Sequence, residues 1–232
     1  MGNALRSHKM IELLEPKHYD ESIVMKLREM NEPLGLNWAI RDNEHYILDY
    51  PWIINKLPNP DKNIKILDAG CGEGALQFWC QDKYDTYSVD RIDYAKELRK
   101  KTPDINFIYA ELNRLPFEDN MFDCIVSCSA LEHNIPCEVK GVMKELARVL
   151  KPGGRLIFTI VSRAEVLFNS GDWWAYNGDG VRMFFLIPEL KLFSDLDTTT
   201  KFQEIYYTKF IPMFKTQPYP YNPLGIVMEK YV

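Results

Sequence analysis

From Ile64 onward the chain alternates between two kinds of hydrophobic spacing. IKILDAG is a short apolar run that closes in Asp and Gly, and a helical stretch (Ala75 to Gln81) follows it. YDTYSVD gives a second strand, a helix over about Tyr94 to Lys101 ends at Pro103, and INFIYAE gives a third strand. FDCIVSCS is a fourth. The stretch Val139 to Leu150 then places Val142, Met143, Leu146, Val149 and Leu150 on one side of a helix, and KPGG turns into a fifth strand, RLIFTIVS. Nearly all-apolar strands alternating with helices predict an α/β protein whose parallel sheet is covered on both faces.

The flanks follow other patterns. Ile23, Val24, Leu27 and Met30 recur at helical spacing until Pro33 and Gly35. A second helix, about Asn43 to Lys56, has to accommodate Pro51 and is expected as two short pieces. After Ser162 the alternation stops in an aromatic, Gly-punctuated segment. Two strands then follow, KFQEIYYTKF and LGIVMEKYV, with a Pro-rich stretch between them. Two strands with no helix between them predict an antiparallel hairpin at a sheet edge. The organisation expected is a helical cap over residues 1–58, a main domain over 59–232, and a lid insertion over 163–197.

Composition narrows the class without choosing the chemistry. With 232 residues and 46% apolar positions, the chain can bury the core of one ordinary domain. A net charge of −5 argues against a polyanionic nucleic acid as partner. The five cysteines contain no CxxC pair, and Cys124 and Cys128 share one strand, so a reduced, cytoplasmic protein is expected. MGNALRSHKMIELLEPKH lacks the apolar run of a signal peptide, and Arg6 stands where a myristoylation signal needs Ser or Thr.

LDAGCGEG, Leu67 to Gly74, is the strongest chemical signal. A buried strand delivers the chain to a Gly-rich turn that opens a helix, and Gly70 and Gly72 let a ligand approach the backbone. Asp90, 16 residues beyond Gly74, ends the second strand where a carboxylate can accept hydrogen bonds from ribose hydroxyls. A lesser alternative is that it caps the following helix, and the two roles are compatible.

ILDAGCGEG, the acid in YSVD, AELNRLPFEDNMFDCIVSCSALEH and ELARVLKPGGRLIFTI together resemble the successive motifs of class I S-adenosylmethionine-dependent methyltransferases. The resemblance runs over roughly Ile64 to Ile160. It implies a three-layer Rossmann-like sandwich with a mostly parallel seven-stranded sheet and an antiparallel C-terminal hairpin strand. By the same resemblance Asp68, Gly70, Cys71, Gly72 and Gly74 hold the methionine portion of S-adenosylmethionine, and Asp90 holds the ribose. Arg91 then lies near the adenine, Glu111 and Leu112 stand at the adenine edge, and the Cys128 backbone faces the methionine. Nicotinamide-binding Rossmann proteins share the glycine loop and Asp90, but they leave LPFEDNMFD, KPGG and the terminal hairpin unexplained.

Methyl transfer from a sulfonium needs alignment of the acceptor and, for a hydroxyl, removal of its proton. His133 and Glu132, after the fourth strand, are the candidate bases, His133 ahead by its ordinary pKa. The alternative is that Leu-Glu-His orients the next loop. No third ligand accompanies the pair, so no metal is expected. Trp173, Trp174 and Tyr176 are the candidate substrate contacts, on a lid that could equally be rings packed over the sheet. The reaction expected is methylation of a small molecule, a metabolite or saccharide, with O-methylation favoured. Alternatives are a protein or RNA methyltransferase and a non-catalytic regulator that keeps the cofactor fold.

Overall fold

The computed structural model describes residues 11–14, 16–32, 46–72, 75–91, 100, 106–163, 167–192 and 222–231. Ten strands are described: β1 Ile11–Leu13, β2 Lys65–Ala69, β3 Asp85–Asp90, β4 Asn106–Tyr109, β5 Phe122–Cys128, β6 Leu150–Ser162, β7 Leu167–Asn169, β8 Trp174–Tyr176, β9 Leu190–Leu192 and β10 Asn222–Lys230. The helices are α1 Glu21–Asn31, α2 Tyr46–Ile54, α3 Ala75–Cys80, α4 Pro136–Val149 and α5 Gly178–Phe184.

The main path through the sheet is β1-β10-β6-β5-β2-β3-β4. Strands β6, β5, β2, β3 and β4 run parallel, whereas β10 is antiparallel to β6 and β1 is antiparallel to β10. This is the mostly parallel α/β sheet with an antiparallel C-terminal strand that the alternation predicts. Side chains alternate across it. Leu156, Phe158 and Ile160 of β6 face the layer holding α4 and α5, while Ile157 faces the layer of α1, α2 and α3. Both layers exclude water from the strands, which explains why the strand sequences are almost wholly apolar.

Four local features differ from the sequence reading or add to it. Residues 46–54 form one helix, with Pro51 inside it, rather than two pieces. Pro51 removes one backbone donor but keeps its carbonyl in use, accepting from the Asn55 N–H at 3.0 Å. KPGG is not a free turn. Residues 151–154 bulge within β6, opposite Asp123, and Gly153 takes φ 76°. A Cβ at Gly154 would stand 3.0 Å or less from Leu150, Lys151 and Asp123, so only glycine fits there. The three-residue strand β1 is unexpected, and it fills the outer edge of β10 together with β9. The first strand of the expected hairpin, KFQEIYYTKF, lies outside the described residues, as do Gly74 and most of the helix expected over Tyr94 to Lys101.

Helix α1 begins where Asp20 accepts hydrogen bonds from the Ser22 and Ile23 N–H groups. Helix α2 packs on β5, β6 and β10, and a Cβ at Gly225 would meet the Trp52 ring at 2.6 Å. The Trp52 indole donates to Glu12 Oε2 at 2.8 Å, and Lys56 Nζ lies 3.4 Å from the same oxygen. Burial of Glu12 alone would raise its pKa. Hydrogen bonds from His18 and Trp52, with the Lys56 charge, outweigh burial and hold it down at about 2. These contacts seat the amino-terminal segment against the sheet.

Candidate functional site

The chain turns from β2 outward to β3 and β4, then returns to place β5 on the other side of β2. The crevice above such a reversal is where ligands bind in open α/β sheets. Here it is bounded by Asp68 to Gly72, Asp90 and the residues that follow Cys128.

On the β2–β3 side, Gly70 and Gly72 adopt φ 76° and 53°, the left-handed region that favours glycine. The N–H groups of Gly70 and Cys71 both donate to the Val89 carbonyl, at 2.9 and 3.1 Å, and clamp the loop onto β3. A Cβ at Gly70 would lie 2.5 Å from the Ala130 Cβ, so the loop also touches the segment after β5. Asp90 is buried; its Oδ2 accepts from the Gly72 N–H at 2.8 Å and its Oδ1 from the Arg91 N–H at 2.7 Å. A carboxylate oxygen can accept more than one hydrogen bond, so anchoring the loop does not exclude meeting a ribose. Arg91 and Glu111 form an exposed ion pair at 3.6 Å where β3 and β4 end, and Leu112 lies 3.8 Å from the Gly70 position. The structure therefore brings together every described residue expected around the cofactor.

Asp68 is the informative member of that set. It is 3% exposed, no described side chain donates a hydrogen bond to it, and burial, with the neighbouring Asp90, pushes its pKa up to about 8. A buried carboxyl in that state suits a ligand that brings a positive charge.

The other side of the crevice holds a cluster absent from any motif. Asp49 of α2 is fully buried, and its Oδ2 accepts a hydrogen bond from Ser129 Oγ at 3.0 Å. The Ser129 hydroxyl also meets the Glu132 carboxyl. Ser129 itself sits at φ 45°, held there by its N–H donating to the Thr159 carbonyl at 3.2 Å and to Thr159 Oγ1 at 3.1 Å. A non-glycine residue in this conformation is strained and marks a place the fold constrains. Glu132 is 1% exposed. Burial pushes its carboxyl up to about 8, against opposing backbone hydrogen bonds and the Ser129 hydroxyl. Burial likewise raises Asp49 well above the carboxylate range, with the charge of Glu132 adding to it. Burial pushes the Cys128 thiol well above its usual range, with the charges of Asp49, Asp68 and Glu132 adding to it.

The two candidate bases thus occupy different surroundings. His133 is exposed, and its Nδ1 is engaged at 2.9 Å with the Asp172 carbonyl, which ties the 163–192 segment to the Leu131–His133 turn. Glu132 points inward, and its Oε2 is buried with no hydrogen-bond partner. Tyr176, expected on a lid, is fully buried in β8. Its ring packs at 5.0 Å from Phe185 and its hydroxyl, close enough to Glu132 to feel its charge, has no partner either. Trp173 packs against Phe168 at 6.2 Å, and Trp174 is half-buried against the core. Asp49, Ser129 and Thr159 were missed from sequence. The one available signal was a lone carboxylate inside the apolar helix YILDYPWII. Among the described residues no group of three or more His, Cys, Asp or Glu side chains converges as a metal site, and all five cysteines are free thiols.

Residues 67–158 match the family described as "Methyltransferase domain". The malonyl-[acyl-carrier protein] O-methyltransferase of Buchnera aphidicola is 32% identical over 137 residues, 56% of this chain and 53% of that protein. The sterol 24-C-methyltransferase of Pneumocystis carinii is 33% identical over 127 residues, 50% of this chain and 31% of that protein. The chain thus spans about half or less of the length of these relatives. A solved S-adenosylmethionine-dependent methyltransferase from Mesorhizobium loti shares the fold, with a TM-score of 0.54 at 17% identity, over 78% of this chain and 97% of that one. Fold, glycine loop and family match define a Rossmann-like methyltransferase domain. Over residues 67–158 the chain is similar to the methyltransferase domain, and it shares its fold with S-adenosylmethionine-dependent methyltransferases, whose cofactor is S-adenosylmethionine. The residues present fit that group: the unpaired buried Asp68 suits its ammonium, and Asp90 its ribose.

Proposed function

We propose that this protein transfers a methyl group from S-adenosylmethionine to a small-molecule acceptor, a metabolite or saccharide, with oxygen as the favoured methylated atom. The observation that carries the reading is Glu132, a buried carboxyl with one unpartnered oxygen, in the turn that follows β5. Asp68 and the Gly70–Gly72 loop hold the methionine end, Asp90 the ribose, and Arg91, Glu111 and Leu112 the adenine end. The Cys128 backbone lies between the two ligands.

When bound, S-adenosylmethionine supplies a methyl carbon on a sulfonium whose carbon–sulfur electron pair leaves on sulfur. Glu132 accepts the proton of the acceptor hydroxyl as its oxygen bonds to that carbon. A carboxyl with a pKa near neutrality is a stronger base than an ordinary one, and proton removal of this kind contributes about 10²–10⁴-fold. His133, bound to the Asp172 carbonyl, positions the segment that closes the pocket, with Trp173 and Trp174 at its rim. The relatives named above are an O- and a C-methyltransferase; the buried base next to hydroxyl-bearing side chains supports oxygen for this chain.

The test is a screen for acceptor-dependent formation of S-adenosylhomocysteine, with metabolites and sugars in one arm and protein and RNA in the other. Turnover in the first arm that Glu132→Gln removes while S-adenosylmethionine binding persists supports the reading. Turnover with protein or RNA alone contradicts it.

A further inference from the structure

The parallel strands have two ends, and the methyl-transfer crevice uses only the carboxyl ends. At the amino ends of β3 and β4 lies a second recess, a cavity of about 280 Å³ whose wall includes Lys62, Gln77, Gln81, Tyr84, Asp85 and Asn106. Asp85 opens β3 and Asp90 closes it, about 16 Å away at the rise of an extended strand. The cavity is therefore separate from the crevice, and a ligand there does not depend on the crevice's chemistry.

Exposure falls from the rim of this cavity to its floor. Lys62, Gln81 and Asn106 reach solvent, Asp85 is half-buried, and Gln77 and Tyr84 are buried. Gln77 and Gln81 stand one helical turn apart, the Gln81 N–H donating to the Gln77 carbonyl at 2.9 Å, so both lie on one side of the helix. Several polar groups of the wall are spent on nearby backbone. Lys62 Nζ donates to the Gln81 carbonyl at 2.7 Å, the Tyr84 hydroxyl to the Pro58 carbonyl at 2.7 Å, and Asn106 Nδ2 to the Thr86 carbonyl at 3.3 Å. Gln77 is the exception at the floor: it is 0% exposed, and among the described residues neither Oε1 nor Nε2 has a hydrogen-bond partner. A buried carboxamide with donor and acceptor both unused is costly, and buried polar groups are almost always paired. The packing of α3 does not call for it, since its neighbours Ala75, Leu76, Phe78 and Cys80 are apolar and buried as well.

We propose that this cavity is a binding site for a small uncharged molecule bearing a carboxamide, with Gln77 as the residue that recognises it. The two amides pair edge to edge: Gln77 Nε2 donates to the ligand's carbonyl oxygen, and the ligand's NH2 donates to Gln77 Oε1. Lys62 and Asp85 put one charge of each sign in the wall, so net charge favours neither an anion nor a cation. An ion at the floor would also lose its hydration and find half of its pairing. A carboxylate cannot donate to Oε1, and an ammonium cannot accept from Nε2. A volume just under the usual range of ligand pockets, about 300–1,000 Å³, restricts the molecule to a small one, and Tyr84 in the wall suits a planar ring.

The experiment titrates the full chain with three probes of similar shape, benzamide, benzoate and benzylammonium, with and without saturating S-adenosylhomocysteine. The side-chain NH2 resonances of Gln77, assigned by their loss in Gln77→Met, report on the floor directly. Benzamide is expected to move them saturably in both states and to bind at least about tenfold more tightly than either ion. Gln77→Met keeps the length of the side chain and removes the unpaired amide. It is expected to melt no lower than wild type, yet to lose the rise in melting temperature that benzamide gives the wild type. An amide with a structural role would lower the melting temperature when removed.

The site is overturned if benzamide leaves the Gln77 resonances unmoved, the result expected of a floor that only water visits. It is overturned equally if either ion moves them as well as benzamide does, if Gln77→Met melts lower than wild type, or if that variant keeps its stabilisation by benzamide. Shifts that vanish once S-adenosylhomocysteine is bound would put the probe in the crevice and overturn the separate site.

Discussion

The two banks of the crevice are built on different principles. The cofactor bank is local: Asp68, Gly70, Cys71 and Gly72 are consecutive or nearly so, and Asp90 reaches back to the same loop through one backbone hydrogen bond of 2.8 Å. The bank we assign to the acceptor draws Asp49, Ser129 with Glu132, Thr159 and Tyr176 from four separate segments, and Ser129 bridges to Asp49 across 80 residues. A cofactor common to many enzymes can be held by one contiguous device. An acceptor peculiar to one enzyme is met by whatever side chains the tertiary fold brings to the strand ends.

The banks meet at Gly70, so the largest effect should come from closing that junction. Gly70→Ala places a Cβ 2.5 Å from Ala130 at φ 76°. Left-handed strain and overpacking together predict a loss on the order of 3 kcal/mol, read by chemical denaturation, with S-adenosylmethionine binding lost as well. A variant that folds and binds normally would show the banks to be independent.

Substitutions confined to the acceptor bank should separate turnover from cofactor affinity. Once an acceptor is in hand, Glu132→Gln is expected to lower kcat by at least about 10²-fold, whereas His133→Ala lowers it less than about tenfold. Equal losses at both positions would return the histidine to the role of base.

The banks also make a joint prediction about pH. Asp68 and Glu132 have folded pKa values near 8, raised by burial above their unfolded values. The folded state therefore holds more protons than the unfolded state between about pH 4.5 and 8. Stability contributed by those protons is present below that window and is lost as pH rises through 8. Glu12, held at about 2, works in the opposite sense, and its contribution disappears as pH falls toward 2. Thermal melts should thus peak in mildly acidic buffer. Asp68→Asn or Glu132→Gln should flatten the alkaline limb, and a wild-type melt rising steadily to pH 9 would contradict the assignment.

The smallest expected effect lies outside both banks. Trp52→Phe removes the indole donor to Glu12 and should lower stability by about 1 kcal/mol without changing cofactor affinity. A change in cofactor affinity would mean that α2 couples to the glycine loop as well as, through Asp49, to Ser129.

The same contrast explains what could be read from the chain alone. The parallel sheet was legible because burial on both faces makes its strands apolar, and the cofactor bank was legible because its residues are adjacent in sequence. Asp49 was not, because a single carboxylate in YILDYPWII resembles a helix's polar face until Ser129 and Thr159 are folded against it. Tyr176 was singled out for its ring on a loop, whereas the fold buries the ring and leaves the hydroxyl without a hydrogen-bond partner. Strand β1 escaped notice because three residues carry too little periodicity; its partner, β10, fixes it. The ranking of His133 above Glu132 followed solution pKa values; our proposal takes Glu132 instead because the fold buries it.

The most direct measurement is calorimetric titration of the full chain with S-adenosylmethionine and, separately, with NADH, in buffers of different ionisation enthalpy. The account predicts that S-adenosylmethionine alone binds, that Asp90→Ala abolishes the binding, and that binding near pH 7 releases protons as Asp68 meets the ligand's ammonium group. Binding of NADH in its place, or no binding of S-adenosylmethionine at all, would contradict it.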